Sequence, residues 1–368
     1  MPLPDAPPAS TPGGTPPPPP APRTIDGFQP RFPRVFVTGG AGFIGSHVVH
    51  RLLGLGVDVT ALVLPNDPAP AIASLPVSLV RGDLASIEAL TAAMRQSRAE
   101  LVINLAAIYA LWLRRPRTMF DVNVAGARNV MRAARAAGIR RVVHTSSIAA
   151  VGVLPGRAVA DEDTPFDEWD VANDYVLSKY IAELEVFREA SPDLEVVAAN
   201  PAFPFGADDT APTPTGKMVL DTLRGRLPFV VEGGFNAVDV RDVAEGHLLA
   251  ALHGQSGRRY ILGGENITFR DFADRVARAA HRRAPAITMP TRVVVAAGRV
   301  SEAIANHVTR RPPQFTERSV AYMAGRFSWF STARAERELG YRPRALDEAI
   351  ARSIAWFSGE GRQAAARA

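Results

Sequence analysis

Val35-Phe36-Val37-Thr38-Gly39-Gly40-Ala41-Gly42-Phe43-Ile44-Gly45 is the stretch on which the fold turns. Val35 to Thr38 is a short β-branched and aromatic run, the composition of a buried parallel strand. Glycines follow at once. Ile44 to Leu53 then shows helical spacing until Gly54 and Gly56 end it. In this strand–turn–helix setting Gly39 permits a tight turn, Gly42 the approach of a pyrophosphate, and Gly45 close packing of the helix. The helix N-terminus, with Phe43 and Ile44 in its first turn, faces the phosphates. The stretch predicts a dinucleotide site.

The same alternation continues outward. Val57 to Val63, Ser78 to Val80, Leu101 to Leu105, Arg141 to Thr145 and Leu194 to Ala199 read as strands. Helices are predicted around Ile87 to Arg95, over Met119 to Ala137, and from Tyr175 to about Ala190. Such alternation predicts an α/β fold, a doubly wound parallel sheet with right-handed crossovers. After Asn200, prolines and glycines crowd Pro201 to Gly216 and the pattern changes. Residues 31–200 are read as the dinucleotide-binding domain. Residues 201–357 are read as a smaller, mostly helical substrate lobe, with the chain returning to the core sheet near Tyr260 to Leu262. Residues 1–30, with the run Pro16 to Pro20, read as a disordered tail, as do residues 358–368. Order is expected to begin at Arg34.

Composition narrows the function. The chain has 368 residues, no cysteine and a formal net charge of +5. Without cysteine there is no disulfide, thiolate metal site or cysteine nucleophile. The seven histidines show no metal-ligand spacing, so no metal is expected. Basic residues are spread out, with only doublets such as Arg310-Arg311, which argues against a nucleic-acid partner. No stretch has the length of a membrane span and the start has no signal pattern, so a cytoplasmic protein is expected. Val293 to Ala297 is read as part of an amphipathic helix.

Lysine is scarce: Lys179 and Lys217 are the two lysines among forty-two lysines and arginines. Lys179 lies in Tyr175-Val176-Leu177-Ser178-Lys179, where the two end residues share one helix face. A lysine ammonium beside a phenol favours the phenolate, and a compact point charge can bridge a tyrosine and a sugar hydroxyl where an arginine fork cannot. Thr145-Ser146-Ser147 closes a strand at its carboxyl end, the side on which ligands bind in this topology. Ser147, Tyr175 and Lys179 behind the glycine loop are the candidate catalytic set of a nicotinamide enzyme. Asp83 could accept from the adenine amino group or start the following helix, and Leu84 adjoins it. Ala106 and Ala107 would let a cofactor lie close. The end of the second strand, Val63 to Asp67, carries neither the acid nor the arginine that selects a ribose, so NAD and NADP both stay open.

These motifs resemble the extended short-chain dehydrogenases/reductases, the NAD-dependent epimerase/dehydratase family, over about Arg34 to Phe357. Thr38 to Gly45, Ser146-Ser147 and Tyr175 to Lys179 match that family's cofactor loop and catalytic serine, tyrosine and lysine. Gly152 follows Ser147 by the step seen in extended members. Ala106 to Trp112, Asn200-Pro201 through Gly216, Val240 to His247 and Tyr260 to Asn266 are similar to hopanoid-associated sugar epimerases and the dihydroflavonol reductases beside them. The resemblance implies a Rossmann fold, Pro201 near the cofactor and a small-molecule substrate. Asn104 replaces a histidine common in such relatives. Leu64 replaces an arginine of the reductase-like ones.

Two motifs fall away. Thr213 to Lys217 lacks the first glycine of a phosphate loop, and Asp161-Glu162-Asp163 has no partner ligands. Ile148-Ala149 after Ser147 lack the acid pair a dehydratase needs. Tyr109, Leu111 and Trp112, with Phe203, Pro204 and Phe205, give the pocket an apolar cast, and core packing explains them equally well. Tyr109, Trp112, Ser147 and Phe203 are the candidate substrate contacts. The sequence thus predicts a carbonyl/secondary-alcohol oxidoreductase. A nucleotide-sugar epimerase is the alternative, with Arg241 and Arg224 as its candidate diphosphate contacts, and a non-catalytic redox sensor is less favoured. Homodimerisation through Met119 to Ala137 and Tyr175 to Ala190 follows by analogy of fold.

Overall fold

The computed structural model describes residues 25–110, 113–304 and 317–359. The first described element is not the glycine-loop strand but α1 (Phe28–Arg31). Ile25, Phe28 and Phe32 are buried in the main core, and the Arg31 guanidinium donates to Leu252 O at 2.9 Å. The folded chain therefore starts ahead of Arg34 and within the stretch assigned to the tail. The reason is local: past the proline run, apolar side chains return at a spacing that can dock.

The core alternates as expected: β1 (Arg34–Thr38), α2 (Phe43–Leu53), β2 (Asp58–Val63), β3 (Ser78–Arg81), α3 (Ile87–Ser97) and β4 (Leu101–Asn104). Next come α4 (Pro116–Phe120), α5 (Ala127–Ala137), β5 (Arg141–Thr145), α6 (Asp174–Arg188), β6 (Glu195–Pro201) and β7 (Phe203–Phe205). The lobe contains α7 (Pro214–Leu223), β8 (Phe229–Val231) and β9 (Gly233–Asp239). It is followed by α8 (Val240–His253), β10 (Arg259–Leu262), β11 (Glu265–Thr268), α9 (Phe269–Ala279) and β12 (Ile287–Met289). The chain closes with α10 (Thr291–Ile304), α11 (Glu317–Met323), β13 (Arg326–Ser328), α12 (Ala333–Leu339) and α13 (Leu346–Phe357).

Seven parallel strands form the main sheet in the order β10-β6-β5-β4-β1-β2-β3. The order reverses beside β1, whose neighbours are β2 and β4, so the crevice opens at the carboxyl ends of β1 and β4. Alternate strand residues feed two cores, as the period of two requires. Val35, Val37, Ile103 and Val143 pack towards α2 and α8, whereas Phe36, Val102 and Val142 pack towards α3 and α5. β10 returns to the sheet at Tyr260 to Leu262, pairing with β6. The lobe has its own core around Phe205, Phe235 and Phe272 and two small sheets.

One expected element is interrupted. The helix read over Met119 to Ala137 is α4 and α5 joined by a wide π-type turn at Asp121–Gly126. Such turns carry one residue more than an α-turn and recur at functional sites. Asn123 is in this turn, and Gly126 packs on Leu84, where an added Cβ would lie 2.9 Å from the Leu84 side chain.

Candidate active site

The glycine loop has the geometry the sequence predicts. Gly39 has φ +68°, and a Cβ there would meet Ala106 N at 2.6 Å. A Cβ on Gly45 would lie 2.1 Å from Gly39 O, so only glycine lets α2 start this close to the turn. Gly42 differs: it lines the cavity, its backbone is extended, and an added Cβ would meet only Gly39 O, at 3.3 Å. No side chain caps α2, so the first N–H groups of that helix are left for an anion. These features fit a dinucleotide pyrophosphate.

A cavity of about 390 Å³ runs from this loop to the catalytic candidates. Gly39, Gly42, Phe43, Ile44, Gly45, Ala107, Tyr109, Ser147, Tyr175, Lys179, Pro201 and Phe203 all line it. Trp112 lies outside the described residues. Asp83, Leu84 and Ala106 are not in the lining. Asp83 is exposed and accepts from Ala85 N at 2.9 Å, Leu84 is in the core, and Ala106 N donates to Thr38 Oγ1 at 3.2 Å.

α6 presents Tyr175 and Lys179 on one face, and its start is fixed by Asn173 Oδ1 accepting from Val176 N. The Tyr175 phenol faces Ser147. Burial pushes that phenol up to about 12, and the Ser147 side chain pulls the other way. The sequence-based expectation that Lys179 draws Tyr175 towards neutrality does not hold for the protein by itself. Lys179 Nζ is turned to Thr145 O, 2.7 Å away. Burial also lowers Lys179 to about 8, against the pull of Glu183 one turn further on. Gly152 closes the loop after Ser147, and a Cβ there would meet Pro165 O at 1.9 Å.

Several supporting residues escaped the sequence reading. Asn123 Oδ1 accepts from Ile108 N at 2.7 Å, while its Nδ2 donates to Ile108 O and to Ser178 Oγ. It pins the segment after β4 to the catalytic helix. Asn200 Nδ2 donates to Ser147 O at 2.9 Å and to Glu183 Oε2 at 2.7 Å. Asn104 accepts from Thr38 Oγ1 at 2.6 Å and bonds the His144 ring at 3.0 Å. The Val240 to His247 motif locks elements together: Asp242 and Glu245 hold Arg344, and His247 Nε2 meets Thr145 Oγ1 at 2.8 Å.

The substrate side is mostly apolar. The Tyr109 ring lies 4.8 Å from that of Tyr175. Ile148, Ala149, Val176, Tyr322 and Met323 continue the wall, and Asp209 is the one acid among its described residues. That acid is engaged, accepting from Thr213 N and Oγ1. Among the described lining residues Lys179 is the one lysine or arginine. Arg241 is bound to Asp239 and Glu348 and does not line the cavity, and Arg224 is exposed outside it.

Comparison with known proteins agrees with this architecture. The sequence profile described as "NAD dependent epimerase/dehydratase family" matches residues 35–263. The chain belongs to that family. It is an NAD(P)-dependent enzyme of the extended short-chain dehydrogenase/reductase type. A protein of Synechocystis sp. that carries the name dihydroflavonol 4-reductase is 34% identical, over 89% of this chain and 95% of its own. The sterol demethylase protein B of Methylococcus capsulatus is 32% identical, over 88% and 98%. The Thermus thermophilus UDP-glucose 4-epimerase complex with NAD superposes with a TM-score of 0.71 at 26% identity, over 89% and 99%. This member of the family has, among its described residues, no helix long and apolar enough to cross a membrane.

Proposed function

We propose that this enzyme interconverts a carbonyl and a secondary alcohol on a hydrophobic small molecule, with Tyr175 as the general acid/base. The observation that carries the reading is the cavity lining. Ser147, Tyr175 and Lys179 converge beside the glycine loop, and the wall beyond them is mostly apolar, with no second lysine or arginine among the described lining residues. A nucleoside diphosphate calls for cations that make charge-assisted bonds, and Arg241 is already spent on Asp239 and Glu348. The Methylococcus relative, named for sterol demethylation, points the same way. A nucleotide-sugar epimerase is the competing reading, favoured by the Thermus structure.

When bound, the nicotinamide supplies or accepts a hydride at the substrate carbon. In the reductive direction Ser147 donates a hydrogen bond that orients the carbonyl oxygen. Tyr175 gives that oxygen its proton, and it takes the proton back in oxidation. Lys179 holds the nicotinamide ribose and supplies positive charge beside the phenol. Gly42, Phe43, Ile44 and Gly45 hold the pyrophosphate, and Asp83 and Leu84 serve the adenine end. Tyr109 and Phe203 contact the substrate and exclude water.

The test is a substrate screen followed by nicotinamide absorbance. Apolar cyclic ketones and secondary alcohols should be turned over with a net change in nicotinamide. Activity confined to UDP-sugars, with no net change, would overturn the reading in favour of an epimerase.

A further inference from the structure

Behind the catalytic lysine lies a buried charge cluster. Glu183 is one helical turn beyond Lys179 on α6 and is 2% exposed. Its carboxylate pairs with an Arg259 Nη at 3.2 Å and accepts from Asn200 Nδ2 at 2.7 Å. Arg259 comes from β10, the strand that returns to the sheet, and the same guanidinium donates to Ala150 O at 3.2 Å. Ser146 adjoins the carboxylate.

A buried carboxylate is costly unless it is paired. Two elements, β6 and β10, contribute the partners of this one on α6. Its position suggests what the pairing achieves. Lys179 is itself 3% exposed, with one ammonium bond given to Thr145 O. The other titratable groups facing it are Tyr175, His144 on β5 and His247 on α8. Burial keeps both imidazoles neutral near pH 7, so neither adds like-charge repulsion to the desolvation of the ammonium. Glu183 is the neighbouring anion.

We propose that Glu183, fixed by Arg259 and Asn200, is a positioning residue that keeps Lys179 protonated and so extends the pH range over which the lysine serves the cofactor and Tyr175. This rests on the role given to Lys179 above. Removing the carboxylate takes away the attraction that opposes burial. The lysine then gives up its proton at lower pH.

The test uses binding, which needs no substrate. The dissociation constants of NADH and NADPH are measured by nicotinamide fluorescence from pH 6 to 10 in the full-length protein. Wild type should bind steadily at low pH and weaken as pH rises past about 8, where Lys179 deprotonates. Lys179→Met should abolish that transition, and its persistence would refute the lysine role itself. Glu183→Gln should move the midpoint down by at least about one pH unit. Arg259→Gln, which removes the cation competing for the carboxylate, should shift it the opposite way, upward, and covers the case in which the glutamate variant does not fold. A wild-type transition that Lys179→Met removes, but that neither variant moves, would overturn the inference and leave the lysine role standing.

Discussion

At the scale of residues, the candidate catalytic set stands out because its chemistry is rare in this chain. Lysine is so scarce that its presence four residues after a tyrosine is informative. The serine was legible from its strand end. What could not be read was the environment. The 12-ward shift of Tyr175 and the fall of Lys179 to about 8 both come from burial, which a motif does not encode. Glu183 was invisible because a glutamate four residues after a lysine usually reads as a surface pair. Ser147→Ala should lower kcat by about two orders of magnitude while leaving cofactor affinity within a few-fold, since it removes one donor to the reacting oxygen. Steady-state kinetics with fluorescence titration checks this. A loss of affinity equal to the loss of kcat would mean that Ser147 instead shapes the cofactor site.

At the scale of elements, the glycine turn separates two roles that share one motif. Gly45→Ala should destabilise the protein itself, because its Cβ would lie 2.1 Å from Gly39 O. Gly42→Val should leave the melting temperature nearly unchanged and abolish dinucleotide binding, because its side chain would point into the cavity. Thermal denaturation with and without NAD and NADP distinguishes them, and equal destabilisation would refute the division of roles. The π-type turn at Asp121–Gly126 was not legible, since helical periodicity tolerates one extra residue without announcing it. Its cause is tertiary: Asn123 bonds the Ile108 backbone and Ser178 at once. Asn123→Ala should release the segment after β4, measured as faster amide exchange around Ile108. Unchanged exchange there would contradict the pinning role.

At the scale of the whole molecule, the parallel sheet followed from the alternation of strands and helices. The start of the folded chain did not, because Ile25 and Phe28 sit immediately after a polar, proline-rich run whose composition masks them. Buried histidines give a pH signature. His247 is lowered to about 4 from 6.5 by burial, so the unfolded chain takes up a proton before the folded one does. The stability His247 contributes is complete above pH 6.5 and is lost as pH falls towards 4. Wild type should therefore lose roughly 3 kcal/mol relative to His247→Gln over that window, measured by chemical denaturation at each pH. A constant difference between the two proteins would contradict the assignment. Ile181 and Leu184 are exposed on α6, in keeping with the proposed dimer, whereas Arg132 and Arg135 of α5 are paired with Glu189 of the same chain. Light scattering tests the dimer, and a monomer at working concentration refutes it.

In the proposed reaction Tyr175 transfers the proton in a net hydride exchange at a carbonyl. Its most direct test is the turnover of a hydrophobic ketone by wild type and Tyr175→Phe, followed by nicotinamide absorbance, with cofactor affinity measured in parallel. Turnover should fall by at least about 10²-fold in the variant while the dissociation constant stays within a few-fold. Undiminished turnover by Tyr175→Phe would contradict it.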